Sequence, residues 1–489
     1  MVKYLPHLRI LRINGCYGMG LAWLRPLQDL EYLQELAFMN DTEFDCNDII
    51  HIYDESVVAD IDDDWQGNAA DNDDEDIDQF DDFEPAAEEE EEGTFMKYRK
   101  TDYLGEFLVA RASTLTRLSF EGSDVLGFKL FVACEPPPLS PTTEDAAEAG
   151  KVGLSMVVDR PCPPILGLKY VNFSKAGIDR AALVIEPLLR QCPDLEILDV
   201  SNCLESSWSR FQWSILSHAC LKLSTLNFGG FGEIDNDQLI LVIQACHGLR
   251  SLIAYQTNIE DKVLEAIVDK WIGGQGGGGG DIHLSPRAQP FLELDVSWCT
   301  NLKQGSIERV VQTISTLKSI KFSWCQYIEM SVFQRPWGCL NLEELEAQGL
   351  DQSPGHKSNE ECIEVSIFRQ VSKLKRLRRL VIGSDVMLVV RDKGFGLLLE
   401  SEEREQQQEE EEQQQQQQQQ QVGLLGLEYL DFVGHEDFPL GESEVEVIAT
   451  AFPKLKHFHY GVGLVPGEMR ELLTKMRPEI QQKEERVYF

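Results

Sequence analysis

His457 and His459 are the only two of the chain's nine histidines that stand close together in sequence. Two residues apart on a strand, they would share one face. Two imidazoles supply half of a tetrahedral zinc site, and no third His or Cys follows at ligand spacing, so a solvent-facing strand pair is the better reading on ligand count. Twelve cysteines are present, none in a CxxC pair, which points to a reduced cytoplasmic or nuclear protein rather than a disulfide framework. The glycine run 273–280 could cradle a phosphate. No Lys-Ser or Lys-Thr follows it, however, and Asp281 would repel the ligand, so it reads as a linker. Neither GxSxG, HExxH nor a dinucleotide fingerprint occurs. We assign no catalytic, cofactor or metal-ligating residue and expect a protein that is not an enzyme.

Charge could also do chemistry. The net charge of −39 is concentrated: residues 54–92 hold 20 acidic and no basic residues, and 400–412 hold 8 acidic residues against Arg404. Trp65, Ile77, Phe80 and Phe83 interleave the first tract, a pattern that could dock a basic partner such as a histone. Its composition otherwise predicts solvated disorder. Removing both tracts leaves an ordinary acidic surface, which disfavours direct nucleic-acid binding. The start Met1–His7 lacks an apolar signal region and no apolar run reaches 18 residues, so no membrane association is expected.

A repeated phrase organises the rest. In Leu195-Glu196-Ile197-Leu198-Asp199-Val200-Ser201-Asn202-Cys203, apolar residues fall at positions 1, 4 and 6, with cysteine at 9. The frame recurs at Leu223, Leu249, Phe291 and Leu317, and more loosely from Leu8 to Leu455, giving about thirteen frames. This spacing at a period near 26 is the signature of a leucine-rich repeat. Positions 4 and 6 turn to one side of a short strand while 3, 5 and 7 turn to the other. Stretches such as 236–246 and 307–314 show helical periodicity between frames. The predicted fold is an α/β leucine-rich-repeat solenoid, a curved horseshoe with parallel strands on the concave face and helices on the convex face. Cys192, Cys220, Cys246, Cys339 and Phe452 each stand three residues before a strand-opening leucine, placing an apolar group at each helix-to-strand corner. His435 takes the cysteine position and reads as a satisfied buried polar residue.

The phrases Cys192–Cys203 and Ser297-Trp298-Cys299-Thr300-Asn301-Leu302 resemble the cysteine-containing repeats of F-box/LRR (RNI-like) proteins. That resemblance implies a substrate receptor for an SCF-type ubiquitin ligase, with Skp1 and cullin as partners if an F-box lies upstream. An F-box is expected before the repeats in that family, and Leu5-Pro6 is too little to assign one; with the first repeat opening at Leu8, an upstream segment or a partner is expected to cover that end. A basic-protein or histone chaperone is the alternative. A Ran-type GTPase activator fits less well, because those repeats favour asparagine where Cys203, Cys299 and Cys325 stand.

Along the chain we expect first repeats over 1–53, a disordered acidic insertion over 54–95, a repeat over 96–134 and a Pro-rich acidic loop over 135–160. Repeats resume over 161–272, a Gly-rich loop fills 273–290, and repeats follow over 291–399. An acidic polyglutamine insertion spans 400–422, and the last repeats with a terminal helix near 466–487 close the chain. Enlarging a connection from ~25 to ~80 residues costs on the order of 1 kcal/mol, so a solenoid can carry these. The remaining working surface is the concave face, where a protein partner is expected to meet Asp199, Ser201, Asn227, Ile253, Tyr255, Asp295, Ser297, Lys321 and Glu346. Trp298 and Trp324 fall one position further on, at the rim.

Overall fold

The structure, a computed structural model, describes residues 5–16, 24–39, 103–123, 166–178, 181–203, 211–232, 234–273, 289–350, 367–383, 424–432, 441–461 and 465–485. The acidic tracts, the glycine run beyond Gly273, the polyglutamine stretch and His435 lie outside these residues. Fourteen parallel strands form one sheet in chain order. They are β1 (Ile10–Asn14), β2 (Glu35–Met39), β3 (Arg117–Ser119), β4 (Tyr170–Asn172), β5 (Ile197–Asp199), β6 (Thr225–Asn227) and β7 (Ser251–Ile253), followed by β8 (Glu293–Asp295), β9 (Ser319–Lys321), β10 (Glu344–Ala347), β11 (Arg379–Ile382), β12 (Tyr429–Phe432), β13 (His457–Gly461) and β14 (Gln481–Glu485). This is the leucine-rich-repeat solenoid that the frame spacing predicts.

Position 4 fixes the register. Leu36 pairs with Leu118 and Leu118 with Val171, and the alignment continues through Leu198, Leu226, Leu252, Leu294, Ile320, Leu345, Leu380 and Leu430 to Phe458. A slip of one residue would turn every side chain of a strand to the opposite face, so burying this row leaves one solution. Position 6 forms a second buried row, in which Phe120 stacks between Phe38 and Phe173 at centroid distances of 5.2 and 5.4 Å.

Helices cover the core side. Among the described residues these include α1 (Leu24–Leu27), α2 (Tyr103–Ala110), α3 (Ala181–Arg190), α4 (Leu216–Ala219), α5 (Asn236–Ala245), α6 (Asp261–Gly273), α7 (Gln304–Thr313), α8 (Glu442–Ala451) and α9 (Gly467–Met476). Asp235 caps α5 by accepting from the Asp237 and Gln238 amides, which holds its carboxyl below the usual range. No helix among the described residues is long and apolar enough to cross a membrane.

The cysteine preference has a geometric cause. Cys203 donates to the Phe173 carbonyl at 2.9 Å, Cys299 to Ala254 at 3.0 Å and Cys325 to Val296 at 3.1 Å. In each case the acceptor is position 6 of the preceding repeat. A thiol fills an apolar corner and still satisfies a buried carbonyl. Burial raises these thiols, Cys203 and Cys325 to about 12 and Cys299 to about 11, and the corner thiols Cys220 and Cys339 to about 12.

The tail departs from the expected single helix. α9 ends at Met476 because Arg477 precedes Pro478, which disfavours helical backbone there, and the chain returns as β14 beside β13. The Arg477 guanidinium donates to the carbonyls of Ala449, Phe452, Pro453 and Leu455, satisfying the end of α8 and the following turn. β14 reads Gln-Gln-Lys-Glu-Glu, a charged edge of the kind that discourages further strand addition.

Two outcomes follow. Arg477→Met should weaken the last repeat by roughly 2 kcal/mol, visible as faster amide exchange in β13 and β14. Raised thiols also predict alkaline lability. Below about pH 8.5 both folded and unfolded thiols are protonated, whereas between there and about 12 only the unfolded chain loses the proton, so stability falls as pH rises. Urea midpoints measured at pH 7, 9 and 10.5 should decline, with a shallower decline in Cys325→Ala.

Candidate functional site

The open face of the sheet, opposite the helices, carries positions 3 and 5 of each strand. Asp199, Asn227, Ile253, Asp295, Lys321 and Glu346 pair in direct register across β5 to β10. They form one row roughly 24 Å long at a strand spacing of about 4.8 Å. All six are half-buried, flanked by neighbours on the same face.

Several residues of this row also shape the turn that leaves each strand. Asp199 Oδ1 accepts from the Ser201 amide at 3.0 Å and from its hydroxyl at 2.7 Å. Asn172, Asn227 and Asp295 likewise accept from the amides of Ser174, Gly229 and Ser297 at 2.7, 3.2 and 3.1 Å. A short polar side chain that bonds its own backbone two residues on is an Asx turn. Asn227 Nδ2 in addition donates to Asp199 Oδ2 at 3.0 Å, tying two repeats together. Ser201 and Ser297, at position 7, are only 4% and 7% exposed, so they offer a ligand little surface.

The apolar spacing of the frame does not mark position 8. In nine repeats among the described residues it takes left-handed backbone: Gly15, Gly122, Lys175, Asn202, Gly230, Gln256, Trp298, Trp324 and Gly349 all have φ between 55° and 84°. Apart from Gly349, that turn aims the amide at the position 7 carbonyl of the next repeat. Asn202 donates to Gly229, Gln256 to Ser297, Trp298 to Ser323 and Trp324 to Gln348, each at 2.7 Å. The glycines and Asn202 were the available signal, masked by the bulky residues elsewhere.

Side chains at positions 7 and 8 form the rim. Tyr255 lies over Gly229, where a Cβ would come within 2.2 Å of the ring, and its hydroxyl accepts from Asn202 Nδ2 at 2.5 Å. Trp324 lies over Gly349 in the same way, and Trp298 stacks on Trp324 at 5.3 Å and 20°. Trp298 remains 54% exposed.

The electrostatics of the row are uneven. Lys321 sits between Asp295 and Glu346 in the register, yet its ammonium pairs with Glu344 at 3.4 Å, which Arg379 also holds at 3.0 Å. Asp295 and Glu346 are both raised, first by burial, which the Ser297 amide partly offsets at Asp295 and the Lys321 charge partly offsets at Glu346. Further along, His459 Nδ1 is 2.9 Å from the Tyr429 hydroxyl, which donates to Asp431 at 3.0 Å. Arg379 covers the Tyr429 ring, and burial with the neighbouring Asp431 lifts the phenol to about 12. His459 is therefore tied into a polar cluster with only 15% of its side chain exposed, not a free strand histidine. Among the described residues no group of three His, Cys, Asp or Glu could hold a metal ion.

The Asx role of position 5 predicts an ordered pair of variants. Asp295→Asn keeps the acceptor, as Asn172 and Asn227 do, and should change stability little. Asp295→Ala leaves the Ser297 amide without it and should cost about 1 kcal/mol. Denaturant midpoints distinguish the two.

No family model matches the sequence, and no curated protein matches it. Solved structures with similar backbones include that of the Rad7 and Elc1 complex in yeast, at 14% identity and TM-score 0.37, covering 59% of this chain and 62% of that one. The chain thus spans about three-fifths of that neighbour. An internalin from Listeria monocytogenes aligns at 13% identity and TM-score 0.35, over 66% of this chain and 76% of its own. The leucine-rich-repeat protein LIC12759 of Leptospira interrogans aligns at 10% identity and TM-score 0.35, over 98% and 90%. On its own register, turn and strand order, the chain is a leucine-rich-repeat solenoid with one open face of half-buried polar side chains.

Proposed function

We propose that the protein is a non-catalytic scaffold that binds a protein partner on the open face between β5 and β10. The observation that carries this reading is the single row from Asp199 to Glu346, six side chains held in register by a rigid sheet beside an aromatic rim. A rigid display of polar groups next to exposed aromatics suits protein recognition, because little side-chain freedom is lost on binding. The finer reading, from the repeat type, is substrate recognition for an SCF-type ubiquitin ligase. The 20 acidic residues of 54–92 favour a second reading, a chaperone for histones or other basic proteins.

Affinity purification of the tagged full chain tests these together. The adaptor reading expects Skp1 and cullin in the eluate, with a further protein that is lost when Ile253→Arg and Asn227→Arg are introduced. Absence of Skp1 and cullin refutes the adaptor role. A partner set that survives the face variants but disappears on deletion of 54–92 replaces the scaffold reading with the chaperone one.

A further inference from the structure

We infer that the β8–β10 part of the open face, together with the Trp298–Trp324 rim, is a binding site for an arginine- or lysine-rich segment of a protein partner. This rests on the scaffold reading above and narrows it to one ligand chemistry.

Two independent observations carry it. The first is the indole pair. A tryptophan in left-handed backbone is strained, since its Cβ crowds the following carbonyl, and two successive repeats accept that strain at φ 63° and 60°. Other repeats meet the same turn with Gly15, Gly122, Gly230 and Gly349, so the turn itself does not need an indole. Nor does the core use it: Trp298 is among the most exposed large apolar residues described, and among those residues its ring stacks on Trp324. Gly349 clears the space in which Trp324 lies flat, which sets both rings in near-parallel planes. A stacked, half-exposed indole pair is a surface for a guanidinium or ammonium group, which is drawn to the ring face.

The second observation is the charge beside it. Positions 3 and 5 of β8 to β10 are Glu293, Asp295, Ser319, Lys321, Glu344 and Glu346: four carboxylates and one ammonium. Lys321 and Arg379 both turn to Glu344. Among the described residues Asp295 and Glu346 have no ion pair of their own, and they stand half-buried and two strands apart. Burial disfavours their charged form, and a cation arriving from a ligand would restore it. Asp295 stands three residues before Trp298, so one extended basic segment could place one cation on the indoles and the next over the carboxylates. An anionic or purely apolar segment would meet like charge or leave these carboxylates desolvated.

The experiment uses the full chain and a fluorescein-labelled dodecapeptide with four arginines separated by glycine and serine, beside a control with glutamine at those four positions. Anisotropy should show binding of the arginine peptide and not of the control. Trp298→Gly with Trp324→Gly suits the left-handed turn, so it should keep or raise the melting temperature while weakening the peptide about tenfold. Asp295→Asn with Glu346→Gln keeps the Asx acceptor and should weaken binding by a similar factor with a shallower salt dependence. A benzophenone on the same peptide should crosslink within residues 293–349. If the arginine peptide fails to bind, or both double variants bind it as the parent does, the inference is overturned. Crosslinks elsewhere on the open face overturn the inference and leave the scaffold reading standing. Crosslinks confined to 54–92 overturn both.

Discussion

One constraint underlies the molecule: a repeat of this size cannot bury position 4 and position 6 alone, and only an adjacent repeat in the same register can cover them. From Leu36 to Phe458 the position 4 residues pair without a slip. The apolar rows set the register, and the register in turn places position 5 beside position 5. The open face is thus a by-product of the core. Its side chains line up because the leucines behind them must.

The strand ends extend the same logic past the sheet. Left-handed position 8 carries the backbone ladder one bond beyond the last strand residue, and the thiol at position 9 closes the corner against the previous repeat's carbonyl. Position 5 supplies the Asx acceptor that turns the chain between them. Polar, strained and apolar positions thus alternate over five residues, each answering to a different neighbour. This explains why Asp199 and Asp295 belong both to the turn and to the open face, with part of their acceptor capacity taken up by the turn.

Much of this was legible in the sequence, because a leucine at 1 and 4 and an apolar residue at 6 announce themselves by spacing. The row from Asp199 to Glu346 followed from the same count and does share one line on the sheet. β14 was not legible, since Gln481 to Glu485 has no apolar alternation and is a strand only because β13 offers it an edge. The left-handed turn was half hidden, announced by Gly122 and Gly349 and disguised by Lys175, Gln256, Trp298 and Trp324. Strand periodicity alone makes His459 solvent-facing, because it says nothing of Tyr429 and Asp431 on the preceding strand.

The distance along the chain between paired position 4 residues varies widely, 82 residues from Leu36 to Leu118, 50 from Leu380 to Leu430 and 25 from Ile320 to Leu345, yet the pairing is unchanged. Doubling a connection costs only about 0.6 kcal/mol in closure entropy. Homopolymer tracts of glutamine, glycine or glutamate can therefore lengthen or shorten by replication slippage almost without penalty. Length at these junctions is free to drift between generations, and selection on stability acts instead on the few letters that face the interior.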